Sequence, residues 1–465
     1  MPHPDFLFPA QADMRAVARR LYGEVAGLPI ISPHGHCDPA WFARDAPFSD
    51  PATLFVVPDH YVFRMLYSQG VPLEALGVPR ADGGKTETDT RAIWRLLARN
   101  WPLFRGTPTR LWMEHGFSSL FGIEERLDAG NADRLYDLIA SKLQEPAYRP
   151  RALFERFNIE ALATTQAAID TLEHHRTLRD SGWTGRVITT FRPDAVVDPA
   201  FPGFAGNIAE LGRLTGEDTT TWRGYLAALM QRRAYFRGFG ATATDHGHPT
   251  AATADLPADA AAALFGRVLA GAAAADAELF RAQMLTEMAR MSLEDGLVMQ
   301  IHPGAVRDHN PSVFARFGRD KGADIPARTD YVQALKPLLD RFGNESRLTV
   351  IVFTLDETSY SRELAPLAGH YPALRLGPPW WFFDSPEGMR RFRELTTETA
   401  GFANTVGFND DTRAFCSIPS RHDVARRADC AYLARLVTEH TLDEDEAREV
   451  AIDLAYRLAK SAYRL

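Results

Sequence analysis

Short apolar runs that stop at polar residues recur along this chain, and most are separated by segments of helical periodicity. The runs are LPIIS (28–32), IEALATT (159–165), RVITTF (186–191), GATATDH (240–246), LVMQIH (297–302), LTVIVFT (348–354), ALRLG (373–377) and NTVGF (404–408). Their near-continuous apolar character suits strands buried on both faces, as in parallel sheets. Stretches such as LFRAQMLTEMARMSLED and DYVQALKPLLDRFG between them place apolar residues at helical spacing. Strand and helix alternating eight times predict an α/β chain folded as a (β/α)8 TIM barrel. The seventh run is cut short by Gly377-Pro378-Pro379.

The first two runs are separated by roughly 125 residues, far beyond an ordinary βα connection. Residues 43–156 read as helical, with RAIWRLLARNW and ADRLYDLIASKLQ as clear cases, and so predict a large helical insertion after strand 1. The expected division is 1–42 for the N-terminal segment and strand 1, 43–156 for the insertion, 157–435 for the rest of the barrel, and 436–465 for C-terminal helices packed on it. The Ala-rich GAAAADAELF (271–280) is read as helical, and no internal repeat stands out.

Composition narrows the function classes. The chain has 465 residues, 45% hydrophobic and 24% charged, which is ordinary for a globular protein. A net charge of −8 argues against nonspecific nucleic-acid binding, so any anionic substrate needs local positive charge. Cys37, Cys416 and Cys430 form no disulfide framework or CxxC pair, and the first twenty residues lack the order of a signal peptide. With no run of about 18 apolar residues, the expectation is a cytoplasmic protein without a membrane span.

The chemistry-bearing residues fall at strand ends, where a barrel builds its active site. His34-Gly35-His36 ends strand 1. On extended backbone, residues i and i+2 face one side, so both imidazoles can address one point, with small Gly35 admitting a close neighbour. A divalent ion needs a further ligand; Asp411 after strand 8 is the leading candidate and Asp410 its rival. Two imidazoles and a carboxylate with open positions suit a catalytic ion such as zinc. His302 after strand 5 is either a third histidine ligand or a hydrogen-bonder to substrate or ligand. Asp245-His246 after strand 4 is either a structural pair or part of the site wall. Arg192, Arg413 and Arg64 are placed to converge on the mouth, and guanidinium forks bind carboxylates bidentately. DHYVFRMLYSQGV (59–71) brings His60, Tyr61 and Arg64 together at a helix start.

These residues, with DFLFP…LYGEVAGLPIISPHGHCDP, TTFRPD, ATDHG, MQIHPGAVRDHN, PWWFFDSPEGMRRF and GFNDDTRAFCSIPSRHDVARR, resemble the uronate isomerase (glucuronate isomerase) family of the amidohydrolase superfamily nearly end to end. The resemblance implies interconversion of D-glucuronate with D-fructuronate and of D-galacturonate with D-tagaturonate. It puts one divalent ion, zinc, on His34, His36 and Asp411, and substrate contacts on His60, Tyr61, Arg64, Arg192, His302, Trp381 and Arg413. The chain departs from the family pattern in TTQAAIDTLEHH, which lacks an acidic pair after Thr-Thr, and in Ile418 and PSRHDVARR, which lack aromatics.

The expected mechanism gives hydroxyl-proton movement to Asp411 and the carbon proton to Tyr61, made more acidic by Arg413. The metal orients oxygens, Arg192 or a neighbour holds the uronate carboxylate, and Trp381 presents an apolar face to the sugar. The alternative is a mononuclear metal-dependent hydrolase acting on a sugar lactone or related anion; VIVFTLDET, without a histidine at strand 6, counts against a dinuclear site. The expected partners are a small-molecule uronate and further copies in a homo-oligomer.

Overall fold

The protein is described by a computed structural model over residues 3–271 and 273–465. Its strands are β1 (Ile30–Ser32), β2 (Ile159–Ala167), β3 (Val187–Arg192), β4 (Ala243–His246), β5 (Val298–Ile301), β6 (Ala305–Val306), β7 (Ile325–Pro326), β8 (Val350–Val352) and β9 (Leu374–Leu376). β1, β2, β3, β4, β5, β8 and β9 form one curled parallel sheet in that order, which is the sequence-predicted order of the first seven barrel strands. β4 starts only at Ala243, because Gly240 at φ 87° ends the preceding turn.

The eighth predicted strand, 404–408, is not a regular strand. Thr405 makes a single parallel bridge to Leu376, with Leu376 N donating to Asn404 O at 2.8 Å and Val406 N to Leu376 O at 3.2 Å. Extension stops at Gly407, whose φ of 73° is unfavourable for other residues. A Cβ there would meet Leu454 O at 2.7 Å, so the bare glycine lets a C-terminal helix pass underneath. The chain then returns to β1, where His36 N donates to Thr412 O at 3.0 Å. That contact brings the end of the barrel against its beginning.

Apolar packing covers the sheet on both faces. The lumen holds Ala243, Val298, Ile351, Val406 and Tyr463, while Phe191, Met288, Met299 and Leu376 pack among the outer helices. Burying each large side chain contributes about 1.5–3 kcal/mol.

Residues 43–156 contain helices and no strand among the described residues. Their starts are written locally: Asp50, Asp59, Asp89 and Thr107 each accept a backbone N–H in the first turn, two of them with proline next in line. Trp94, Trp101, Phe104 and Phe117 bury this layer against β1 and β2. At the other end, the helix Ile418–Thr438 begins well before the expected one. It packs with Ala12–Val25 and with Glu444–Ile452 through Val17, Leu21, Leu433 and Ala451. The Ala-rich stretch is helical from Ala274; Ala272 lies outside the described residues. The β6–β7 ribbon was not expected from the pattern, since two-residue strands carry no periodicity. No helix among the described residues is long and apolar enough to cross a membrane.

Candidate active site

The strand ends open into a cavity lined by His34, His36, Asp59, His60, Tyr61, Arg192, His302, Arg307, Asp320, Gly322, Asp324, Trp380, Trp381, Asp411, Thr412, Arg413 and Ala414.

Asp411 reaches the strand-1 histidines because of how the turn before it is built. Asn409 Oδ1 accepts the Asp411 N–H at 3.1 Å, a short polar side chain bonding the backbone two residues on. Asp411 itself sits at φ 37°, a left-handed conformation that aspartate tolerates better than most residues. Its Oδ1 lies 3.5 Å from His34 Nε2 and 3.2 Å from His36 Nε2. Asp410 turns the other way, to His422 Nε2 at 3.0 Å. Neighbours do come close at Gly35, yet a Cβ there would meet Ala163 O and Thr412 O at an ordinary 3.5 Å.

These three side chains fit a metal ion. Their ligand atoms lie within 4.8 Å of one another, and the two measured separations match donors each about 2 Å from a shared tetrahedral centre. Asp411 Oδ1 is buried with no hydrogen-bond partner among the described residues, which is costly unless a cation sits there. Burial raises the Asp411 carboxyl, but His36, His34 and His302 outweigh it and hold the group below the ordinary carboxylate range. Burial also keeps His36 low, favouring the neutral ring a metal needs.

His302 does not join this set. Its Nε2 lies 2.8 Å from Asp245 Oδ1, and its ring packs 5.1 Å from Trp380. Asp245 therefore faces the site rather than serving as a partner for neighbouring His246, which turns to Thr244 Oγ1 at 2.9 Å. The second Asp245 oxygen lies 3.3 Å from Arg192 Nη1, while Arg192 Nε donates to Asp194 at 2.8 Å. Arg192 is thus a cation fixed by two carboxylates. Gly247 makes room for this cluster: a Cβ would fall 2.4 Å from Arg192 Nη2 and 2.9 Å from His302 Cε1.

His60, Tyr61, Trp381 and Arg413 all line the cavity; Arg64 does not. Its guanidinium lies over the Phe382 ring, 4.5 Å from the centroid, so the helix face it shares with His60 does not bring it into the cavity. Trp381 adopts φ 53°, and strain of this kind gathers at functional sites. His60 is pushed down to about 3, first by burial and then by Arg413, so it serves as a neutral ring.

The cation acting on Tyr61 is Arg421, not Arg413. Its guanidinium carbon lies 5.6 Å from the Tyr61 ring centroid and 3.5 Å from that of Trp112. Burial still wins and pushes the Tyr61 phenol well above its ordinary value. Arg421 is itself fully buried, donating to Asp384 and, at 3.0 Å, to Ser417 Oγ. It lies in the PSRHD stretch, read from the sequence only as a departure in pattern.

Arg307 and Asp320 were also missed. Both sit in the 305–326 ribbon, Arg307 5.2 Å from the Trp381 ring and Asp320 3.3 Å from Arg413 Nη2. Arg307 was visible inside HPGAVRDHN; nothing in the sequence marked Asp320. In TTQAAID, Gln166 accepts from Thr164 at 2.8 Å and from Thr189 at 2.6 Å, tying β2 to β3 where an acidic pair was expected.

The arrangement sets a triad that fits a cation beside three arginines and aromatic walls, all suited to an anionic polyhydroxy substrate. The Glucuronate isomerase family matches this chain over residues 5–463. The uronate isomerase of Xanthomonas campestris pv. campestris (strain B100) is 67% identical over 464 residues, covering 100% of this chain and 98% of that protein. The crystal structure of glucuronate isomerase from Caulobacter crescentus superposes with a TM-score of 0.98 at 59% identity, covering 100% of this chain and 97% of that one. That of uronate isomerase from Thermotoga maritima gives 0.92 at 27% identity, covering 100% and 99%. The chain belongs to the glucuronate isomerase family.

Proposed function

We propose that this protein is a uronate isomerase, interconverting D-glucuronate with D-fructuronate and D-galacturonate with D-tagaturonate. One observation carries the reading: the Asp411 carboxylate adjoins the two histidines of the triad and faces a cavity lined by Arg192, Arg307 and Arg413. Arginine provides the planar, permanently charged fork that a sugar acid's carboxylate needs.

Aldose–ketose isomerisation moves one proton between adjacent carbons and another between their oxygens. His34, His36 and Asp411 would hold a divalent ion, zinc by its donor set, which when bound polarises substrate oxygens and stabilises negative charge. Asp411, kept ionised, accepts and returns the hydroxyl proton. Tyr61, as a phenolate, takes the proton from carbon 2 and delivers it to carbon 1, with Arg421 opposing the rise that burial imposes. Because burial prevails, phenolate is scarce near neutrality, and turnover rises with pH. Arg413 and Arg307 receive the substrate carboxylate, Arg192 adds fixed positive charge, and Trp381 with Trp380 packs against the carbon face of the sugar. His60 and His302 bond its hydroxyls.

The three cysteines are free and buried, which suits a reducing cytoplasm. A homo-oligomer belongs to the same reading, and light scattering of the purified protein tests it.

The deciding experiment incubates the protein with glucuronate, galacturonate and a panel of sugar lactones. Ketose formation from the uronates supports the reading; acid release from a lactone without ketose formation replaces it with the hydrolase. In D2O, deuterium entering carbon 1 of the ketose, or carbon 2 of the uronate re-formed from it, marks proton transfer, and its complete absence favours hydride transfer or a shielded base.

A further inference from the structure

The barrel lumen below the triad holds two polar side chains that the mechanism leaves unused. Gln300 on β5 and Tyr463, just after the helix Leu458–Ala462, are both fully buried. A glutamine amide and a phenol in an apolar lumen are costly unless their polar atoms are bonded. Tyr463 donates its hydroxyl proton to Gln300 Oε1 at 2.9 Å. Gln300 Nε2 lies 3.4 Å from His34 Nδ1 and donates to Thr244 O at 3.3 Å. Asn409, whose Oδ1 holds the Asp411 N–H, lies beside the same tyrosine hydroxyl. One phenol therefore stands under both ends of the triad. Its own segment is anchored at the barrel's floor, where Arg464 donates to Gly296 O ahead of β5 and, at 2.7 Å, to Arg347 O ahead of β8.

We propose that Tyr463 is a positioning residue for the metal site: through Gln300 it orients the His34 ring and sets which of its nitrogens carries the proton. The inference rests on the reading that His34, His36 and Asp411 bind a divalent ion.

Hydrogen-bond direction explains why a tyrosine is needed. In the arrangement seen, Gln300 Nε2 donates to His34 Nδ1, so the imidazole proton is on Nε2, the nitrogen facing Asp411. A ring that offers Nε2 to a cation carries its proton on Nδ1 and must find an acceptor there. Gln300 supplies one by turning its amide over, giving up the bond to Thr244 O and presenting Oε1. Its Nε2 then needs an acceptor on the other side. A hydroxyl donates in the first setting and accepts in the second, so Tyr463 satisfies the amide in both. Phenylalanine would fill the same space and satisfy neither.

The test measures Zn2+ dissociation constants of the metal-stripped full chain by competition with a chromogenic chelator, alongside thermal unfolding of the same samples. Tyr463→Phe is expected to weaken zinc binding roughly 10–100-fold, the scale of losing a residue that orients a metal-bound histidine. Gln300→Leu is expected to do the same. The double variant should be no weaker than the worse single one, because the two lie on one path. Zinc affinity equal to wild type in Tyr463→Phe, with only a lowered melting temperature, would reduce Tyr463 to lumen packing and overturn the proposal. Should Tyr463→Phe fail to fold, Arg464→Ala releases the anchor without entering the lumen; a two- to five-fold loss of affinity supports the proposal and wild-type affinity overturns it. Wild-type protein that binds zinc no better than His36→Ala refutes the triad reading itself, an outcome separate from the others.

Discussion

Asp411 Oδ1 lies 3.2 Å from His36 Nε2, although one residue follows the first strand and the other follows the last position of the barrel. The contact exists because His36 N bonds Thr412 O, so ring closure and site assembly are one event. Asp411→Asn keeps the shape and removes the charge. It should lower divalent-ion affinity by more than about 100-fold, beyond the usual effect of an outer residue, and abolish turnover with the fold intact by circular dichroism. Near-normal ketose formation would remove Asp411 from the mechanism.

Asp320 faces Arg413 at 3.3 Å with about half its side chain exposed. Burial raises its carboxyl, but Arg413, Arg307 and Arg192 together hold it ionised. It stands where an anionic substrate's carboxylate would compete for the same guanidinium groups. Asp320→Asn should lower KM for glucuronate about two- to five-fold, the scale of a partly exposed ion pair. The gain should shrink in high salt. A raised KM would show instead that Asp320 binds substrate directly.

Asp245 is buried between His302 and Arg192. Replacing it by asparagine leaves the partly buried Arg192 with Asp194 alone and takes the charged partner from buried His302, costing roughly 1–3 kcal/mol. Urea unfolding should register that loss, and turnover should fall with it as Arg192 and His302 shift. Unchanged stability would mean Asp194 alone suffices for Arg192.

Acid should destabilise the fold through buried histidines outside the metal site. Burial pushes His175 down to about 4 and His246 down to about 3. Their folded values lie below the ordinary value of 6.5, so their contribution is complete above pH 6.5. It is lost as pH falls through that window, because the unfolded chain binds the proton first. Each can contribute up to about 1.4 kcal/mol per pH unit. Melting temperatures between pH 7.5 and 4 should fall less steeply for His246→Asn than for wild type; equal slopes would exclude His246 as a cause.

The helices of the insertion and the first seven strands were legible because their causes are local: apolar residues at helical spacing and short apolar runs. The histidine pair was legible for the same reason, two positions apart on extended chain. His302 and Asp245 were individually visible, but their pairing was not, since it depends on β4 and β5 lying side by side. Arg64 shows the opposite failure. Helical spacing placed it with His60, and the tertiary position of Phe382 drew it away.

By itself, then, the sequence determined which segments become strands and helices and which polar residues stand at the strand ends. The tertiary structure alone decided that Gly407 ends the eighth position beneath a C-terminal helix. It also decided that the turn at Asn409 aims Asp411 rather than Asp410 at the histidines, that Arg421 rather than Arg413 lies against Tyr61, and that an irregular ribbon brings Arg307 and Asp320 over the cavity. Secondary structure follows from interactions within a few residues, whereas the direction of a side chain after a left-handed or irregular residue is set by what packs against it, and those neighbours come from hundreds of residues away.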